Sequence, residues 1–288
     1  MMGATAGRLG TAGADKGAGR VVDRRAWSKV PEVTAYFWII KVLTTGMGET
    51  TSDFLVHRLI PEVAVVLGGI GLVVALILQF AARRYVAWVY WLAVVMVSVF
   101  GTMVADVMHI VVGIPYVVST VFFSVALAAV FAAWYTSEKT LSIHSIHTRR
   151  REAFYWATVL TTFALGTAAG DMTATTLGLG WFASGLLFAA VIAIPAVGYW
   201  KFGMNAIFAF WFAYVFTRPL GASFADWLAL PPARGGVGWG TGLVSIVLAL
   251  TIAALVGYLA VTRKDVEGEP LRGSRRPQHR FRRSSARS

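Results

Sequence analysis

One spaced signature recurs four times in this chain: a tryptophan, a glycine ten residues later, and an aspartate five residues after that. The copies are Trp38–Gly48–Asp53, Trp91–Gly101–Asp106, Trp156–Gly166–Asp171 and Trp211–Gly221–Asp226. The residue before each aspartate is small: Ser52, Ala105, Gly170 and Ala225. Internal repetition of this kind constrains the architecture before any other reading. It also locates the chemistry, because each copy carries an acid into an apolar segment.

The chain is 57% hydrophobic and 14% charged, against roughly 45–50% and about 25% in soluble domains. Its apolar residues fall in runs of about 20, the length of a bilayer-crossing helix. An apolar span must satisfy its backbone internally, so the expectation is a helix bundle. The alternating strands of an outer-membrane barrel are missing. Cysteine is absent, which excludes disulfides, thiol catalysis and thiolate metal sites. No signal peptide is read at the N-terminus, since the first apolar stretch follows residue 30 without a cleavage pattern.

Turn residues and charges divide the apolar region into segments near 33–56, 61–81, 86–111, 115–136, 153–176, 180–200, 205–229 and 239–262. Arg83–Arg84, Lys139 with Arg149–Arg150–Arg151, and Lys201 lie in the connections after the second, fourth and sixth segments. The positive-inside rule therefore predicts cytoplasmic termini and a multi-pass protein of the cytoplasmic (inner) membrane. Residues 33–136 and 153–262 form two membrane halves, each of two hairpins, joined by a basic cytoplasmic loop at 137–152. The formal net charge of +12 sits mostly on two tails: six Arg/Lys against two Asp over residues 1–30, and nine against three acids over 263–288. Tails at 1–32 and 263–288 read as disordered and membrane-facing. With Arg149–Arg151 they are expected to meet anionic lipid headgroups, and no nucleic-acid partner is expected.

The signature falls on the odd-numbered segments, so all four copies run in one direction. The expected fold is an all-α integral membrane protein of eight transmembrane helices: four parallel two-helix repeats with pseudo-symmetry about the membrane normal. Repeats one and three share Val-Leu-Thr-Thr at 42–45 and 159–162, suggesting two hairpins duplicated to four.

Gly48, Gly101, Gly166 and Gly221 each precede another small residue by four, the pattern that lets membrane helices approach closely. The tryptophans, near the cytoplasmic ends, read as lipid-interface anchors. The aspartates are harder to explain by packing. An ionisable group within a span costs at least roughly 2.5–3.5 kcal/mol, so four cost on the order of 10 kcal/mol. Asp53, Asp106, Asp171 and Asp226 share a helical face with the residues four and three before them: Glu49/Thr50, Thr102/Met103, Thr167/Ala168 and Ala222/Ser223. That predicts a polar, oxygen-lined centre. The competing reading has each aspartate capping a neighbouring helix near the outer surface.

Lys41 and Arg218 enter the same zone, and Glu49, Asp53 and Asp226 are their candidate ion-pair partners. Those two cations against five acids leave a net-negative centre. His109, three residues after Asp106, is placed to extend a proton path or ligate a metal. The His144-x-x-His147 loop reads as a membrane-surface segment and not as a zinc site, lacking an acidic or cysteine partner. No nucleophile elbow, P-loop, zincin motif or dinucleotide fingerprint occurs, so no enzyme activity and no cofactor are expected.

These residues carry a resemblance. Phe-Trp-Ile-Ile-Lys-Val-Leu-Thr-Thr-Gly-Met-Gly-Glu-Thr-Thr-Ser-Asp-Phe at 37–54, Leu-Gly-Thr-Ala-Ala-Gly-Asp at 165–171 and Thr-Arg-Pro-Leu-Gly-Ala-Ser-Phe-Ala-Asp-Trp at 217–227 resemble a bacterial family of uncharacterised membrane-anchored proteins. Its members are built from four copies of a membrane repeat of unknown function. The resemblance covers about residues 30–262 and implies the repeat architecture, not an activity. From the residues, the leading expectation is a transporter or channel-like protein for a cation or proton. The alternative is a non-transporting scaffold or sensor whose acids are structural ion-pair partners.

Overall fold

The computed structural model describes residues 28–266; the remainder of both expected tails lies outside the described residues. Eight long helices account for most of it: α1 (Ala35–Arg58), α2 (Pro61–Ala81), α3 (Ala87–Asp106), α4 (Tyr116–Glu138), α5 (Arg149–Asp171), α6 (Trp181–Phe202), α7 (Ala206–Ala229) and α8 (Thr241–Thr262). No strand occurs among the described residues. Thr34, Thr148 and Asn205 cap α1, α5 and α7, their side chains accepting from backbone N–H groups of the first turn. The Thr148 cap starts α5 at Arg149, four residues before the expected 153. π-helical turns at Val107–Val111 and Met172–Thr176 extend α3 and α5.

Six helices, α2, α3, α4, α6, α7 and α8, are long and apolar enough to cross a membrane. The other two, α1 and α5, carry the most polar sequence, including Lys41, Glu49 and Asp53 in one and Arg149–Glu152 and Asp171 in the other.

The four signature helices form a closed ring in the order α1, α3, α5, α7 and back to α1. The even-numbered helices lie outside it, and their packing is shifted by one repeat. Each packs chiefly on the signature helix that follows it: α2 on α3, α4 on α5, α6 on α7, and α8 back on α1. The sequence hairpin is therefore not the packing unit, and α8 closes the ring onto the helix that opens the fold. The outer helices turn Val66, Ile70, Val73, Ile77, Phe122, Val125, Ile246 and Leu250 outward, an apolar girdle far larger than a water-facing surface of this size tolerates.

Two layers of contacts hold the ring. At one end an aromatic residue precedes each signature tryptophan and packs on the tryptophan of the next helix. Phe37 meets Trp91 at 5.7 Å between centroids, Tyr90 meets Trp156 at 5.7 Å, Tyr155 meets Trp211 at 6.2 Å, and Phe210 meets Trp38 at 5.7 Å. Trp91, Trp156 and Trp211 are consequently buried. They are not the lipid-interface anchors expected of them, because ring closure takes up their faces.

The second layer is the glycines. A Cβ on Gly48 would come within 2.8 Å of the Ser98 backbone, on Gly101 within 2.8 Å of Phe163 Cβ, on Gly166 within 2.9 Å of Pro219 Cδ, and on Gly221 within 2.7 Å of the Val42 carbonyl. Each is a contact with the neighbouring signature helix, so the absent side chain is what sets the helix spacing.

The last residues of the expected N-terminal tail are part of this architecture. Segment 28–33 crosses the tryptophan end: Val30 is buried in the main core, and Lys29 Nζ reaches Glu152 Oε2 at 2.6 Å and the Phe80 carbonyl at 3.3 Å. Gln79 donates to Glu152 Oε1 at 3.0 Å, completing a buried network. Asp265, from the start of the expected C-terminal tail, accepts from Glu32 N at 2.9 Å and from the Tyr85 hydroxyl at 2.5 Å. Burial and the Asp265 carboxylate push the Tyr85 hydroxyl well above the ordinary phenol range, so it stays protonated and donates.

The basic loop is also drawn inward. Ile143 and Ile146 are buried against the bundle while His144 and His147 face out. Arg150 and Arg151 both pair with Glu138, at 3.4 and 2.8 Å. Only Arg149 of the three arginines is left without a carboxylate among the described residues. The loop thus rests on the protein itself, because its two isoleucines find core there.

Candidate functional site: a carboxylate centre bound to Arg218

Moving along the ring axis from the tryptophans towards the aspartates, the interior changes from aromatic to polar. Arg218 marks the change. It lies on α7 directly before Pro219 and is fully buried. Its Nη1 donates to the Thr45 carbonyl at 3.0 Å. Its Nη2 faces Glu49 Oε2 at 2.5 Å, Thr167 Oγ1 at 2.7 Å and the Thr102 hydroxyl. One side chain thereby touches all four signature helices. The two threonines can accept because each donates its own hydrogen down its helix, Thr102 to the Ser98 carbonyl at 3.0 Å and Thr167 to the Phe163 carbonyl at 3.2 Å.

Past Arg218 the carboxylates converge. Glu49, Asp171 and Asp226 each place an oxygen within 4.8 Å of the other two, and all three residues are buried. They come from α1, α5 and α7. Asp106, on α3, is half-buried and accepts from Ser52 Oγ at 3.4 Å. Asp53 is also half-buried. The tight group is thus not the four signature aspartates expected: Glu49, one turn earlier on α1, stands where Asp53 was placed. The cause is Arg218, whose guanidinium draws in Glu49.

Other expected residues lie elsewhere. Thr50 faces outward from the ring and receives a hydrogen bond from Ser245 of α8 at 2.8 Å. The equivalent Met103 lies against Gly68 of α2, so in the first two repeats the position three before the aspartate serves an outer helix, while the position four before it, held by Glu49 and Thr102, faces the axis. Ser223 shares that former position; its hydroxyl is buried and has no hydrogen-bond partner among the described residues. His109 does not extend the carboxylate group. The π-helical turn carries it to the α3–α4 connection, where Nδ1 meets the Ile114 carbonyl at 2.9 Å, Nε2 meets Ser119 Oγ at 3.2 Å, and the ring packs on Tyr116.

The ion pair expected for Lys41 does not form. Lys41 is 1% exposed, and its Nζ has no hydrogen-bond partner among the described residues. It sits between two aromatic faces, 4.1 Å from the centroid of Phe163 and 4.3 Å from that of Tyr214. The reason is axial distance. Lys41 precedes Glu49 by eight residues, about 12 Å of helix rise, and Arg218 occupies the space between. The aromatic faces supply part of the missing neutralisation.

A cleft of about 560 Å³ lies away from this centre, at the tryptophan end, lined mainly by apolar residues including Trp38, Ile143, Pro195 and Phe210. It is a groove between helices with no convergent charge.

The sequence pattern of the family described as Repeat of Unknown Function (DUF347) matches this chain four times, over residues 36–85, 89–140, 154–204 and 209–265. The chain belongs to this family. Neither the curated proteins nor the solved structures contain a match to it. Each DUF347 repeat here contains one ring helix and the outer helix after it, so the one-repeat shift of the outer helices interlocks successive repeats. Arg218 occupies in the fourth repeat the place that Thr45, Ser98 and Phe163 hold in the first three. Glu49, Thr102, Thr167 and Ala222 are likewise equivalent. The buried Arg218–Glu49 pair thus stands at positions where the DUF347 repeats diverge, whereas Asp171 and Asp226 of the buried group are signature aspartates common to all four.

Proposed function

We propose that the protein is an integral membrane transporter or channel-like protein for a cation or proton. In this reading all eight helices span the bacterial cytoplasmic membrane, the four repeats surround a pseudo-symmetry axis along the membrane normal, and both termini are cytoplasmic. The observation that carries the proposal is the buried group of Glu49, Asp171 and Asp226 within 4.8 Å, with Arg218 on one of its members. Like charges at that separation repel by about 3 kcal/mol per pair even at an effective dielectric constant of about 20. One guanidinium offsets one carboxylate, so the remainder are neutralised by a proton or a bound cation. A cation-exchanging group held at the centre of a membrane bundle is what an ion pathway requires.

The polar, charge-rich α1 and α5 support the same reading. In a bilayer they are tolerated because they lie inside a ring screened by the apolar outer helices. The test is purified protein in liposomes assayed for flux of protons and a panel of mono- and divalent cations. Flux above protein-free vesicles supports the proposal, and silence towards every ion refutes it.

A second reading has one specific observation in its favour. From α7, Arg218 bonds to the other three ring helices, which also suits a clasp in a non-transporting scaffold or sensor. In that case removing the carboxylates and removing Arg218 unfold the bundle alike.

A further inference from the structure

The Lys41 amine has no role in that carboxylate centre. We infer that the ion carried is the proton, and that Lys41 relays it between a tyrosine cluster and the carboxylates; this rests on the ion-pathway reading above.

The first ground is the order of groups along the axis. Tyr90 and Tyr155 hydroxyls pair at 2.5 Å at the tryptophan end. Four residues further along the ring lies the level of Lys41 and Tyr214, then that of Arg218 with Thr45 and Ser98, then that of Glu49 with Thr102 and Thr167. Successive levels are one helical turn apart, about 6 Å. The Arg218 guanidinium keeps its protons, so at that level the exchangeable hydrogens are those of the Thr45 and Ser98 hydroxyls, which donate to the Val42 and Thr44 carbonyls at 2.6 and 2.9 Å.

The second ground is that Lys41 Nζ and the Tyr214 hydroxyl are both buried with no hydrogen-bond partner among the described residues. A buried polar atom without a partner calls for an explanation, and a role in chemistry is one of those open to it. An ammonium fixed at this place would have only ring faces and the Arg218 cation near it. An amine that takes up and releases a proton is needed there only intermittently as a cation.

The third ground discriminates between ions. The Phe37, Tyr90, Tyr155 and Phe210 contacts with the four tryptophans close the ring at one end. A hydrated metal cation has no ligands in such a layer, whereas a proton can cross it on the tyrosine hydroxyls. At the other end, the guanidinium already bonded to Glu49 opposes a divalent ion among the same oxygens. In each transfer one O–H or N–H bond breaks and another forms. A proton leaves the far end for each one taken up, and no co-reactant is needed.

The groups facing Lys41 are Phe163 of α5, Tyr214 and Arg218 of α7, and its own helix. Two variants separate relay from packing. Lys41→Met removes the proton carrier. Lys41→Arg keeps a cation over the rings but holds its proton permanently. The full chain is reconstituted in phosphatidylethanolamine–phosphatidylglycerol vesicles with a trapped pH dye, and a potassium diffusion potential drives flux. Wild type is expected to change internal pH without sodium or divalent cations present. Both variants are expected to slow that change by about tenfold or more, the scale of losing a positioned proton-transfer group. Melting temperatures are recorded alongside. If Lys41→Met does not fold, Tyr214→Phe, lacking one hydroxyl, is expected to slow flux in its place.

Proton flux retained in Lys41→Arg overturns the relay role. Wild type that moves sodium, potassium or a divalent ion but not protons overturns the proton assignment while leaving the ion-pathway reading intact. Wild type that moves nothing overturns both.

Discussion

Arg218 Nη2 lies 2.5 Å from Glu49 Oε2, and through that contact the fourth repeat is joined to the first where the ring closes. Both groups are buried, so the pair is exposed to little screening. Its removal leaves the surviving charge without a partner.

Arg218→Met is therefore expected to destabilise the bundle by about 3–5 kcal/mol, the range for breaking a buried pair from one side. The double change Arg218→Met with Glu49→Gln is expected to recover part of that loss. Thermal melts in detergent check both. Equal loss in the single and double variants contradicts the pairing.

The signature glycines differ sharply from the small residue that follows them. Gly48→Ala is expected to lose about 1–3 kcal/mol, because a Cβ there meets the Ser98 backbone and cannot be relieved by a side-chain rotation. Gly170→Ala is the control. Its Cβ would lie 3.6 Å from Pro219, an ordinary contact, and alanine is the better helix former by about 1 kcal/mol. Comparable melting temperatures for the two variants contradict the account of ring spacing.

How much of this was legible in the sequence varies with the physics involved. The eight helices follow from hydropathy and turn residues, and their boundaries moved by only a few residues. The ring interior was half legible. At 100° per residue, positions four and three before each aspartate lie about 40° and 60° to either side of it, so sequence spacing alone grouped them together. Tertiary packing separates them: Glu49 points to the axis and Thr50 to Ser245. The depth of Arg218 was legible, but not its reach to three other helices. Lys41 was placed with the acids because both are ionisable, whereas axial distance keeps them apart. The aromatic before each tryptophan is a sequence signal for the ring-closing layer. The Lys29–Gln79–Glu152 network carried no such signal, since its three members come from distant segments.

That network tests whether segment 28–33 belongs to the folded core. Lys29→Met is expected to cost several kcal/mol, leaving the Glu152 carboxylate buried with only Gln79 for a partner. Tyr85→Phe, which removes the hydroxyl donated to Asp265, is expected to cost about 1–3 kcal/mol. Limited proteolysis of both variants should show earlier cleavage near residues 28–33. Unchanged cleavage and melting in both would mean that the segment is held by Val30 and its backbone hydrogen bonds, not by these side-chain networks.

Within the carboxylate centre the effects should be unequal. Asp171→Asn is expected to abolish ion flux, whereas Asp53→Asn should reduce it less, because Asp53 is half-buried and outside the group of three. Initial flux rates in liposomes, normalised to folded protein, check the order. A reversed order points to the signature aspartates acting as a ring of equals.

The central claim is that the buried carboxylates serve ion movement and not only packing. The most direct measurement is ion flux through Asp171→Asn/Asp226→Asn protein beside wild type, with the melting temperature of each. Asparagine preserves shape and hydrogen bonding while removing two of the three clustered charges. The account predicts flux lost to the level of protein-free vesicles with a melting temperature at or above that of wild type, since the charge repulsion is relieved. Undiminished flux in the double variant, or flux and folded protein lost together, contradicts it.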